Sequence, residues 1–568
     1  MYISKLIVKN FRCFKDNFTV EFNPGMNVII GANNSGKTTI IKALELIFKR
    51  GSIKSLTIDD FNKSIQEFNM PPEIEITVIL KTEKNDTDED KALIASWITK
   101  FEENWEATLT FKYFLPESNL LEYQKSIELA HSQEEKWNAL EKFLPKYVSR
   151  ILGGNPINNL RAETDLLEKI HCEVLDALRD VESKMSTGRS TLLKQVLLHF
   201  KDKKTETTEL ISDKEQEEQT SPEEEFVEYS KSLVKNLVNR IDVTEILSLA
   251  KNTGASVGGQ PGLRGNLNES DVLSILSLIL KTNTGLEIPI TNNGLGYNNL
   301  IYISLILAKF KVITSESQGE NAKTFPILLI EEPEAHLHPA LQYNFLKYLK
   351  KEVDKKENSR QIFVTTHSTQ ITSAVGLDSI ICIEEDEKGK LCAKLPAKVF
   401  SDSADDIKSK KYIERFLDAT KSAMLFSKSV LLVEGMAEIL LFPLFAESND
   451  CDLEYEHVSL VKVDSVSFKH FIKLFGAGIE KERKKYALCK RVSCVTDKDP
   501  LKKNKQPNSR WKKCMPYEIN KDLDNFNYQE KSHTLQNLIA MENGNVKIYY
   551  NKENYGKTLE YDLAWDKL

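Results

Sequence analysis

The chain has 568 residues and a net charge of −7; 41% of its residues are hydrophobic and 28% are charged. This length predicts several domains, and no apolar run reaches the roughly 18 residues that a membrane-spanning helix needs. The eight cysteines lack C-x-x-C spacing, which argues against a zinc site and against a disulfide framework. Because the N-terminus also lacks a secretory leader, we expect a cytoplasmic protein with reduced thiols and no membrane partner.

A glycine-rich loop, residues 31–38, follows a strand predicted at 26–30 and precedes an amphipathic helix predicted at 39–49. It matches the pattern G-x-x-x-x-G-K-[ST], in which backbone N–H groups and a helix start hold phosphates. We expect Lys37 to contact the β- and γ-phosphates of ATP and the Thr38 hydroxyl to bind Mg²⁺. An ordinary Gly-rich turn is the alternative. The predicted nucleotide-binding residues of the loop are Gly31, Asn34, Ser35, Gly36, Lys37, Thr38 and Thr39.

The phosphate loop lies within a predicted N-terminal lobe, residues 1–118. Further strands are predicted at 18–22, 73–80 and 107–114, where apolar, β-branched and aromatic residues alternate or run together. A short motif shortly before the loop makes this lobe resemble that of RecF- and SMC-type ATPases. The motif is Lys9-Asn10-Phe11-Arg12-Cys13-Phe14.

A helical insertion is predicted at 119–255, where Leu, Ile and Val recur at a spacing of three to four residues. Within it, residues 202–225 are charged and poor in apolar side chains, which predicts an exposed loop. The insertion is expected either to serve dimerisation or to be a plain helical subdomain. Examples of the helical spacing are Leu166, Leu167, Ile170 and Val174.

A second ATPase lobe is predicted at 256–400, with an apolar strand at 324–330 that ends in two carboxylates. This is the Walker B arrangement. Glu331 is placed to hold the Mg²⁺ shell, directly or through water, and Glu332 to orient or deprotonate the attacking water. A solvated acidic turn is the alternative, but the phosphate loop requires a carboxylate partner of this kind.

Histidines follow both predicted strands of this lobe. His367 comes after the strand at 361–365 and is expected to contact the γ-phosphate, although a lone histidine is more often structural. His336 and His338 follow the carboxylate pair. We assign these two to a loop that faces a second subunit, because no other metal ligands are near them in sequence.

A loop rich in Gly and Asn, residues 292–299, precedes a helix predicted at 300–307. Gly294 and Gly296 permit close approach of the backbone, and the helix start offers an anion site. The loop takes the place of the ABC signature, which contacts the γ-phosphate held by a second subunit, although Asn293 replaces the usual serine. A plain turn is the alternative. A signature here requires a homodimer or a higher homo-oligomer.

A charged helical connector predicted at 401–425 leads to a third domain at 426–568. Strands are predicted in this domain at 429–433, 458–463 and 492–496, with helices between them. Alternating strands and helices predict a parallel sheet, and ligands bind such sheets at the C-terminal ends of the strands.

Four carboxylates stand where strands of this third domain end. Glu434 follows the first strand and Glu438 lies one helical turn further on, whereas Asp497 and Asp499 follow a later strand. We expect the four to converge on a divalent cation, because oxygen ligands without His or Cys suit Mg²⁺ or Mn²⁺. A solvated acidic face is the alternative.

The order Glu-Gly then Asp-x-Asp on successive strand–helix units resembles a TOPRIM domain. The whole chain resembles the OLD (overcoming lysogenisation defect) nuclease family, with Gabija-type nucleases as relatives by architecture. The implied fold class is α/β, an ABC/SMC-type ATPase head with a helical insertion, followed by a TOPRIM α/β domain with a parallel sheet. Family members carry an acidic patch by which Glu560 would complete the metal cluster, with Asp562 a second candidate. The matching residues are Leu559-Glu560-Tyr561-Asp562-Leu563.

The combined prediction is an ATP-regulated, Mg²⁺- or Mn²⁺-dependent DNA endonuclease. A role in defence against phage, and a helicase or other defence subunit as partner, are implied by the resemblance only. The alternative is a non-nucleolytic ATPase scaffold or sensor of the RecF or SMC sort, whose TOPRIM domain binds DNA or a partner. The predicted catalytic residues are Glu332, His367, Glu434 and Asp497. The predicted metal-binding residues are Thr38, Glu331, Glu434, Glu438, Asp497, Asp499 and Glu560.

Lysine and arginine are dense between residues 481 and 513, on both sides of the Asp-x-Asp turn. Such a run is usually a solvated face. Beside a carboxylate cluster in an acidic protein, it is better interpreted as a track for the phosphate backbone of DNA. Relatives supply a basic residue from helices beyond the third acidic patch, and a residue of this run is expected to replace it. Asp464 and Ser465 stand where relatives often have a glycine-rich turn.

Overall fold

The structure is a computed structural model with two compact units, Met1–Ala177 with Lys323–Leu568 and, separately, Leu178–Ala322. The residues that the structure describes are 1–49, 56–84, 86–176, 192–200, 222–240, 267–268, 272–273, 278–281, 285–289, 294–335, 337–354, 361–463 and 467–565.

The described strands form four sheets in the first unit and one short hairpin in the second. In chain order they are β1 Tyr2–Lys9, β2 Phe18–Glu21, β3 Gly25–Gly31, β4 Ile74–Lys81, β5 Ile98–Lys100, β6 Glu106–Phe114, β7 Val148–Gly153, β8 Ile170–Leu175, β9 Ile279–Lys281, β10 Glu287–Pro289, β11 Phe325–Glu331, β12 Gln361–Thr365, β13 Ile380–Glu385, β14 Leu391–Lys394, β15 Ser429–Val433, β16 Val458–Lys462, β17 Arg491–Val495, β18 Leu501–Asn504, β19 Lys512–Lys513, β20 Phe526–Gln529 and β21 Val546–Tyr549.

The described α-helices connect and cover these sheets. In the first unit they are Lys37–Phe48, Asp88–Ile94, Leu120–Glu128, Gln133–Phe143, Thr164–Glu168, Pro339–Asp354, Thr369–Val375, Ala404–Phe416, Ala419–Ser422, Met436–Ser448, Phe468–Phe471, His533–Ala540 and Leu559–Trp565. In the second unit they are Leu192–Phe200, Pro222–Arg240 and Leu295–Ile313.

The ATPase head of the first unit is built from two sheets around one apolar core. An antiparallel sheet has the order β2-β1-β4-β6-β5, with β7 on β6, and a second sheet has the order β14-β13-β3-β12-β11-β8. Strand β4 alternates buried and half-buried residues, as a strand with one covered face should. Strands β11 and β12 are buried along their whole length, which explains why the residues at the centre of each strand are all apolar. The side chain of Gln361 joins the sheets by hydrogen bonds of 2.8 and 3.0 Å to the backbone of Ile3.

The C-terminal domain of the first unit contains the predicted parallel sheet, with the order β16-β15-β17-β21. A small antiparallel sheet, β19-β18-β20, is inserted between β17 and β21. Because all four strands of the parallel sheet run the same way, their C-terminal ends share one edge. The carboxylates that follow β15 and β17 therefore lie at the same edge.

The second unit is described in part. Its helix Leu192–Phe200 packs against the helix Leu295–Ile313, and β9 pairs with β10 in a short antiparallel hairpin. The predicted loop at 202–225 lies largely outside the described residues, although a helix begins at Pro222. Residues 252–268, which are rich in Gly and Asn and are predicted from the sequence to form a loop, also lie outside the described residues except for the last two.

The helical prediction for 119–255 is wrong at two places. Residues 148–153 form β7, and residues 170–175 form β8, which pairs in parallel with β11 in the head sheet. Ile170 and Val174 fit a helical spacing, but with Cys172 between them they fit the alternation of a strand equally well. A short apolar run fits the periodicity of a helix and that of a strand equally well. Pairing with β11 makes this segment a strand. The helices at 120–128 and 133–143 agree with the prediction, whereas the four boundaries between the five predicted segments stay a prediction.

A buried histidine lies between the connector helix Ala404–Phe416 and the C-terminal domain. His470 Nδ1 is 2.9 Å from the Ser409 hydroxyl, and its ring stacks on Tyr412 with centroids 4.5 Å apart. Burial, assisted by the positive charge of Lys469, lowers the pKa of His470 to about 4.

Acid is expected to weaken the fold through this histidine. Between pH 6.5 and pH 4 the unfolded chain binds a proton that the folded chain rejects, so stability falls as the pH falls through that window. We expect the free energy of unfolding of the wild type to drop by about 2 kcal/mol more than that of His470→Gln between pH 7 and pH 5. Chemical denaturation at several pH values measures this, and parallel pH curves for the two proteins would contradict it.

Candidate ATPase and metal sites

The phosphate loop between β3 and the helix Lys37–Phe48 has the backbone of an anion-binding loop. Asn34 and Gly36 have positive φ angles of 62° and 94°, a conformation that turns successive N–H groups toward one point. A Cβ atom on Gly36 would lie 2.5 Å from the Phe14 ring, so glycine is required both by the φ angle and by the space. The Ser35 hydroxyl is buried and has no hydrogen-bond partner among the described residues. These features fit a bound phosphate chain.

Lys37 lies across the loop. Its Nζ donates hydrogen bonds to the carbonyl oxygens of Gly31 at 3.0 Å and Ala32 at 2.8 Å. Burial lowers the pKa of Lys37, and the charges of Glu332 and Glu334 partly oppose that shift. Thr38, one residue further on, is exposed. The helix begins at Lys37, two residues before its predicted start.

The carboxylate pair after β11 faces this loop. Glu332 has a φ of +42°, and its Oε1 lies 3.5 Å from His367 Nε2. The backbone N–H of Glu332 donates to the Thr365 carbonyl at 2.9 Å, which joins the ends of β11 and β12. Burial, together with the positive charge of Lys37, lowers the pKa of His367, so its imidazole is neutral at pH 7. The structure thus brings Lys37, Glu332 and His367 to one place, as the sequence predicted for an ATPase site.

Glu331, the last residue of β11, is buried. Burial is the largest effect on its carboxyl group and raises the pKa of Glu331 to about 7, with the negative charge of Asp176 adding to the shift and Lys42 opposing it. Lys42 Nζ lies 2.8 Å from a Glu45 oxygen and 3.6 Å from an oxygen of Asp176. Such a buried carboxylate suits a position beside a cation.

Three charged residues of this site were not predicted. Glu334 accepts a hydrogen bond of 2.7 Å from the backbone N–H of His367, and Asp176 and Lys42 face Glu331. Glu334 belongs to the same Glu-Glu-Pro-Glu sequence as the carboxylate pair. Its position in that sequence could have identified it as a residue of the site. Asp176 directly follows β8, the strand that was predicted as helix, so its place at a strand end was missed.

The predicted signature lies in the second unit. The helix begins at Leu295 rather than at residue 300, so Gly296 lies in its first turn and Gly294 caps it. The N–H of Asn298 donates to the Gly294 carbonyl at 3.2 Å. Asn293 and His336 lie outside the described residues. The assignment of this helix start to the γ-phosphate of a second subunit stays a prediction.

In the C-terminal domain, Glu434 is tied to the turn that follows β17. Its Oε2 accepts hydrogen bonds from the Thr496 hydroxyl at 3.0 Å and from the Asp497 N–H at 3.3 Å. Glu438 Oε2 accepts one of 3.0 Å from the Gly435 N–H, so this carboxylate folds back over the start of its own helix. Glu434 and Glu438 thus both lie at the strand end, as predicted.

Asp497 is the centre of the carboxylate cluster, which we define as Glu434, Glu438, Asp497, Asp499 and Glu560. Burial, the largest effect, raises the pKa of Asp497 to about 7, and the charges of the four other members add to it. Asp562 instead accepts a hydrogen bond of 2.9 Å from the Lys557 N–H at the start of its own helix, which leaves Glu560 as the member from this segment.

Lys513 is the residue of the basic run that reaches the cluster. It forms an ion pair with Asp499, which is buried and has a φ of +45°. The other oxygen of Asp499 is buried without a hydrogen-bond partner among the described residues. Burial by itself lowers the pKa of Lys513, but the hydrogen bond and charge of Asp499, with Glu434 and Asp497, raise it overall.

The cluster has the donor chemistry of a divalent-cation site, because its groups are carboxylates with one buried, unpaired oxygen. In the part of the chain that the structure describes, no three His, Cys, Asp or Glu side chains are yet arranged to hold a metal ion. Lys513 already neutralises Asp499. A divalent cation can take the place of the Lys513 ammonium group at Asp499 if the Lys513 side chain turns away. The Lys513 side chain is free to do so because it is flexible and exposed.

Comparison with known proteins identifies two domains. A family model of the AAA ATPase domain matches residues 1–372, and one of the overcoming lysogenization defect protein-like TOPRIM domain matches residues 425–499. The OLD nuclease of Thermus scotoductus is 24% identical over 453 residues, which cover 77% of this chain and 72% of that protein. Endonuclease GajA of Bacillus cereus is 21% identical over 537 residues, which cover 82% of this chain and 73% of the relative. The Old nuclease of Escherichia phage P2 is 30% identical over 181 residues, 31% of this chain and 29% of that protein.

These matches confirm the predicted order of an ATPase head followed by a TOPRIM domain, and the predicted α/β fold class. Within the described residues, no helix combines the length and apolarity that crossing a membrane requires. The chain belongs to the AAA ATPase domain family, and it joins that ATPase to a TOPRIM domain of the OLD-like type.

Proposed function

We propose that this protein is an ATP-regulated DNA endonuclease that uses Mg²⁺ or Mn²⁺ and acts in defence against phage. The single observation that carries the proposal is that the charges of four other carboxylates act on the buried Asp497, in a TOPRIM domain that follows an ATPase. Relatives named OLD nuclease and Endonuclease GajA, each aligned over most of the chain, support nuclease chemistry. The role in defence rests on the family resemblance alone.

In the ATPase head, each residue has a task that its surroundings support. The loop N–H groups and Lys37 bind the phosphates, and the Thr38 hydroxyl and Glu331 hold the Mg²⁺ of the nucleotide. Glu332 orients the attacking water; its half-buried carboxylate stands 3.5 Å from His367 Nε2. Neutral His367 is free to donate a hydrogen bond to the γ-phosphate. Gly294 and Gly296 would close the site from a second subunit, so the active form is a homodimer or a higher homo-oligomer.

In the TOPRIM domain, the carboxylate cluster holds the divalent cation. One or two bound ions would activate water and stabilise the leaving oxygen of a DNA phosphodiester. Glu434 is held in place by Thr496, and Asp497 lies beside it at the end of β17. Lys513, which pairs with Asp499 in the structure, would be available to the DNA phosphate when Asp499 holds a cation instead. This assigns to Lys513 the role expected of a residue from the basic run.

Plasmid cleavage tests the proposal. The purified protein is incubated with supercoiled plasmid and Mg²⁺ or Mn²⁺, with and without ATP. Metal-dependent cleavage that is lost in Glu434→Ala and Asp497→Ala supports the endonuclease. No cleavage under any of these conditions favours a scaffold or sensor, and it also leaves room for a helicase or another defence subunit as an obligatory partner.

Lys513→Gln is expected to slow plasmid cleavage about ten- to a hundredfold, because the variant lacks the lysine ammonium group that would lie beside the scissile phosphate. Its Mg²⁺ affinity, measured by calorimetry, should not fall, since Lys513 competes with the metal for Asp499. Lys512→Gln is the matched control, because Lys512 is the exposed neighbour on the same short strand β19. Equal loss of cleavage in both variants would contradict a specific role for Lys513.

A further inference from the structure

Two cysteines meet where the ATPase head contacts the TOPRIM domain. Cys392 lies on β14, the edge strand of the head sheet, and Cys489 lies just before β17. Their sulfur atoms are 3.9 Å apart, although the residues are 97 positions apart in the chain. Both side chains are half-buried, so small thiol reagents have access to them. Neither cysteine takes part in the nucleotide site or in the carboxylate cluster.

Charged residues hold the two cysteines in place. Glu384 faces Cys392 in the β13–β14 register, and its Oε2 accepts a hydrogen bond of 2.8 Å from the Cys489 N–H. Its other oxygen forms a 3.0 Å ion pair with Lys490. Lys394, on the same strand as Cys392, donates to the Lys485 carbonyl at 3.0 Å. The pair is therefore held by the contact between the domains and is not a chance encounter of loops.

The surroundings also make the two thiols unequal. The hydrogen bond between the two sulfur atoms is the largest effect on Cys489 and lowers the pKa of that thiol, although burial opposes the shift and Lys394 adds to it. The same hydrogen bond raises the pKa of Cys392. Cys489 is thus the more readily ionised of the two thiols, and the thiolate is the form that attacks disulfides.

We propose that Cys392 and Cys489 are a redox-sensitive pair that closes to a reversible disulfide when the cell accumulates a small-molecule disulfide such as oxidised glutathione. The bond joins the ATPase head covalently to the TOPRIM domain. Formation requires the sulfur atoms to approach from 3.9 Å to about 2 Å, a change that side-chain rotation on the edge strand provides. In reducing cytoplasm the pair stays open, and disulfides that form there under oxidation are typically regulatory.

The chemistry proceeds in two exchanges. The Cys489 thiolate attacks one sulfur of oxidised glutathione, forms a mixed disulfide and releases one glutathione thiolate. Cys392 then loses its proton to water, attacks the Cys489 sulfur and releases the second glutathione. Two protein thiols are oxidised while one glutathione disulfide is reduced to two thiols, and excess reduced glutathione reverses both steps.

Mass spectrometry of the native full-length chain tests the proposal. After incubation in oxidised glutathione and digestion without reductant, we expect a peptide pair linked through Cys392 and Cys489, lighter by two hydrogens than the free peptides. Cys392→Ser should instead accumulate glutathione on Cys489, because the resolving thiol is absent. Cys451→Ser is the matched control: Cys451 is exposed and unrelated to the pair, so its loss should leave the linked peptide unchanged. Absence of the linked peptide from the wild type overturns the proposal.

A second measurement asks whether the bond joins the domains. A cross-link over 97 positions restricts the unfolded chain, so oxidised wild type should melt at a higher temperature than reduced wild type. The difference should vanish in Cys392→Ser and Cys489→Ser. Hydrogen exchange should slow in residues 391–394 and 487–490 on oxidation. A linked peptide without slower exchange at the contact would show that the bond forms only in unfolded chains, which also overturns the proposal. None of these measurements depends on nuclease activity.

Discussion

Glu332→Gln is expected to lower the rate of ATP hydrolysis about 10²- to 10⁴-fold while leaving ATP binding intact. The amide keeps the size of the side chain but neither accepts the proton of the attacking water nor carries a charge. The Glu332 carboxylate is half-buried beside His367 and anchors no other described side chain, so the fold should be unaffected. Phosphate release and calorimetry with a non-hydrolysable ATP analogue measure the two quantities.

Lys37→Met provides the complementary variant, because it removes the cation that lies across the phosphate loop. This variant should lose nucleotide binding itself, whereas Glu332→Gln should keep it. Glu128→Gln, on the surface helix Leu120–Glu128, is a matched control without effect. Hydrolysis by Glu332→Gln at the wild-type rate would show that another group activates the water.

Asp497→Asn is expected to lower DNA cleavage about 10³-fold, because a metal ion supplies several kcal/mol of transition-state stabilisation and the amide binds it poorly. The substitution preserves shape at the end of β17, and it removes a negative charge from a crowded cluster. The variant should therefore be at least as stable as the wild type without metal. ATP hydrolysis should continue, since none of the residues assigned to the ATPase site lies in the TOPRIM domain.

The control for this variant is Asp524→Asn, which changes an exposed aspartate in the turn before β20. It should cleave plasmid at the wild-type rate. Retained cleavage in Asp497→Asn, at the same metal concentration, would place the nuclease site elsewhere in the chain. Loss of both cleavage and thermal stability would indicate a folding role, and circular dichroism separates that outcome from a loss of chemistry.

The strands that position both sites could be predicted because they are buried on both faces. The centres of strands β11 and β12 are continuous apolar runs. Strand β11 ends at Glu331, next to Glu332, and strand β12 is followed by Thr366 and His367. Strand β8 was missed, because Ile170 and Val174 satisfy the helical and the strand periods alike. Its partner β11 lies about 150 residues further along the chain, and a pairing over that separation leaves no local signal.

Four members of the carboxylate cluster were also predictable, since parallel strands bring their C-terminal ends to one edge, whereas Glu560 was implied only by the family resemblance. Which of the many lysine and arginine side chains of the basic run reaches the cluster could not be predicted. It depends on the register of the inserted sheet, in which Lys513 pairs with Leu501 two residues after Asp499. Antiparallel register of so short a strand has no signature in the sequence, because only two residues carry it.

Coupling between the ATPase and the nuclease is tested by the rate of plasmid linearisation in Mn²⁺, with and without ATP, for the wild type and for Glu332→Gln. An ATP-regulated nuclease predicts that ATP changes the wild-type rate, by about tenfold in either direction. In Glu332→Gln the rate should hold at the ATP-bound value for as long as ATP is present, since the variant binds ATP without consuming it. Equal rates for both proteins with and without ATP would contradict the central claim that one chain couples an ATPase to a nuclease.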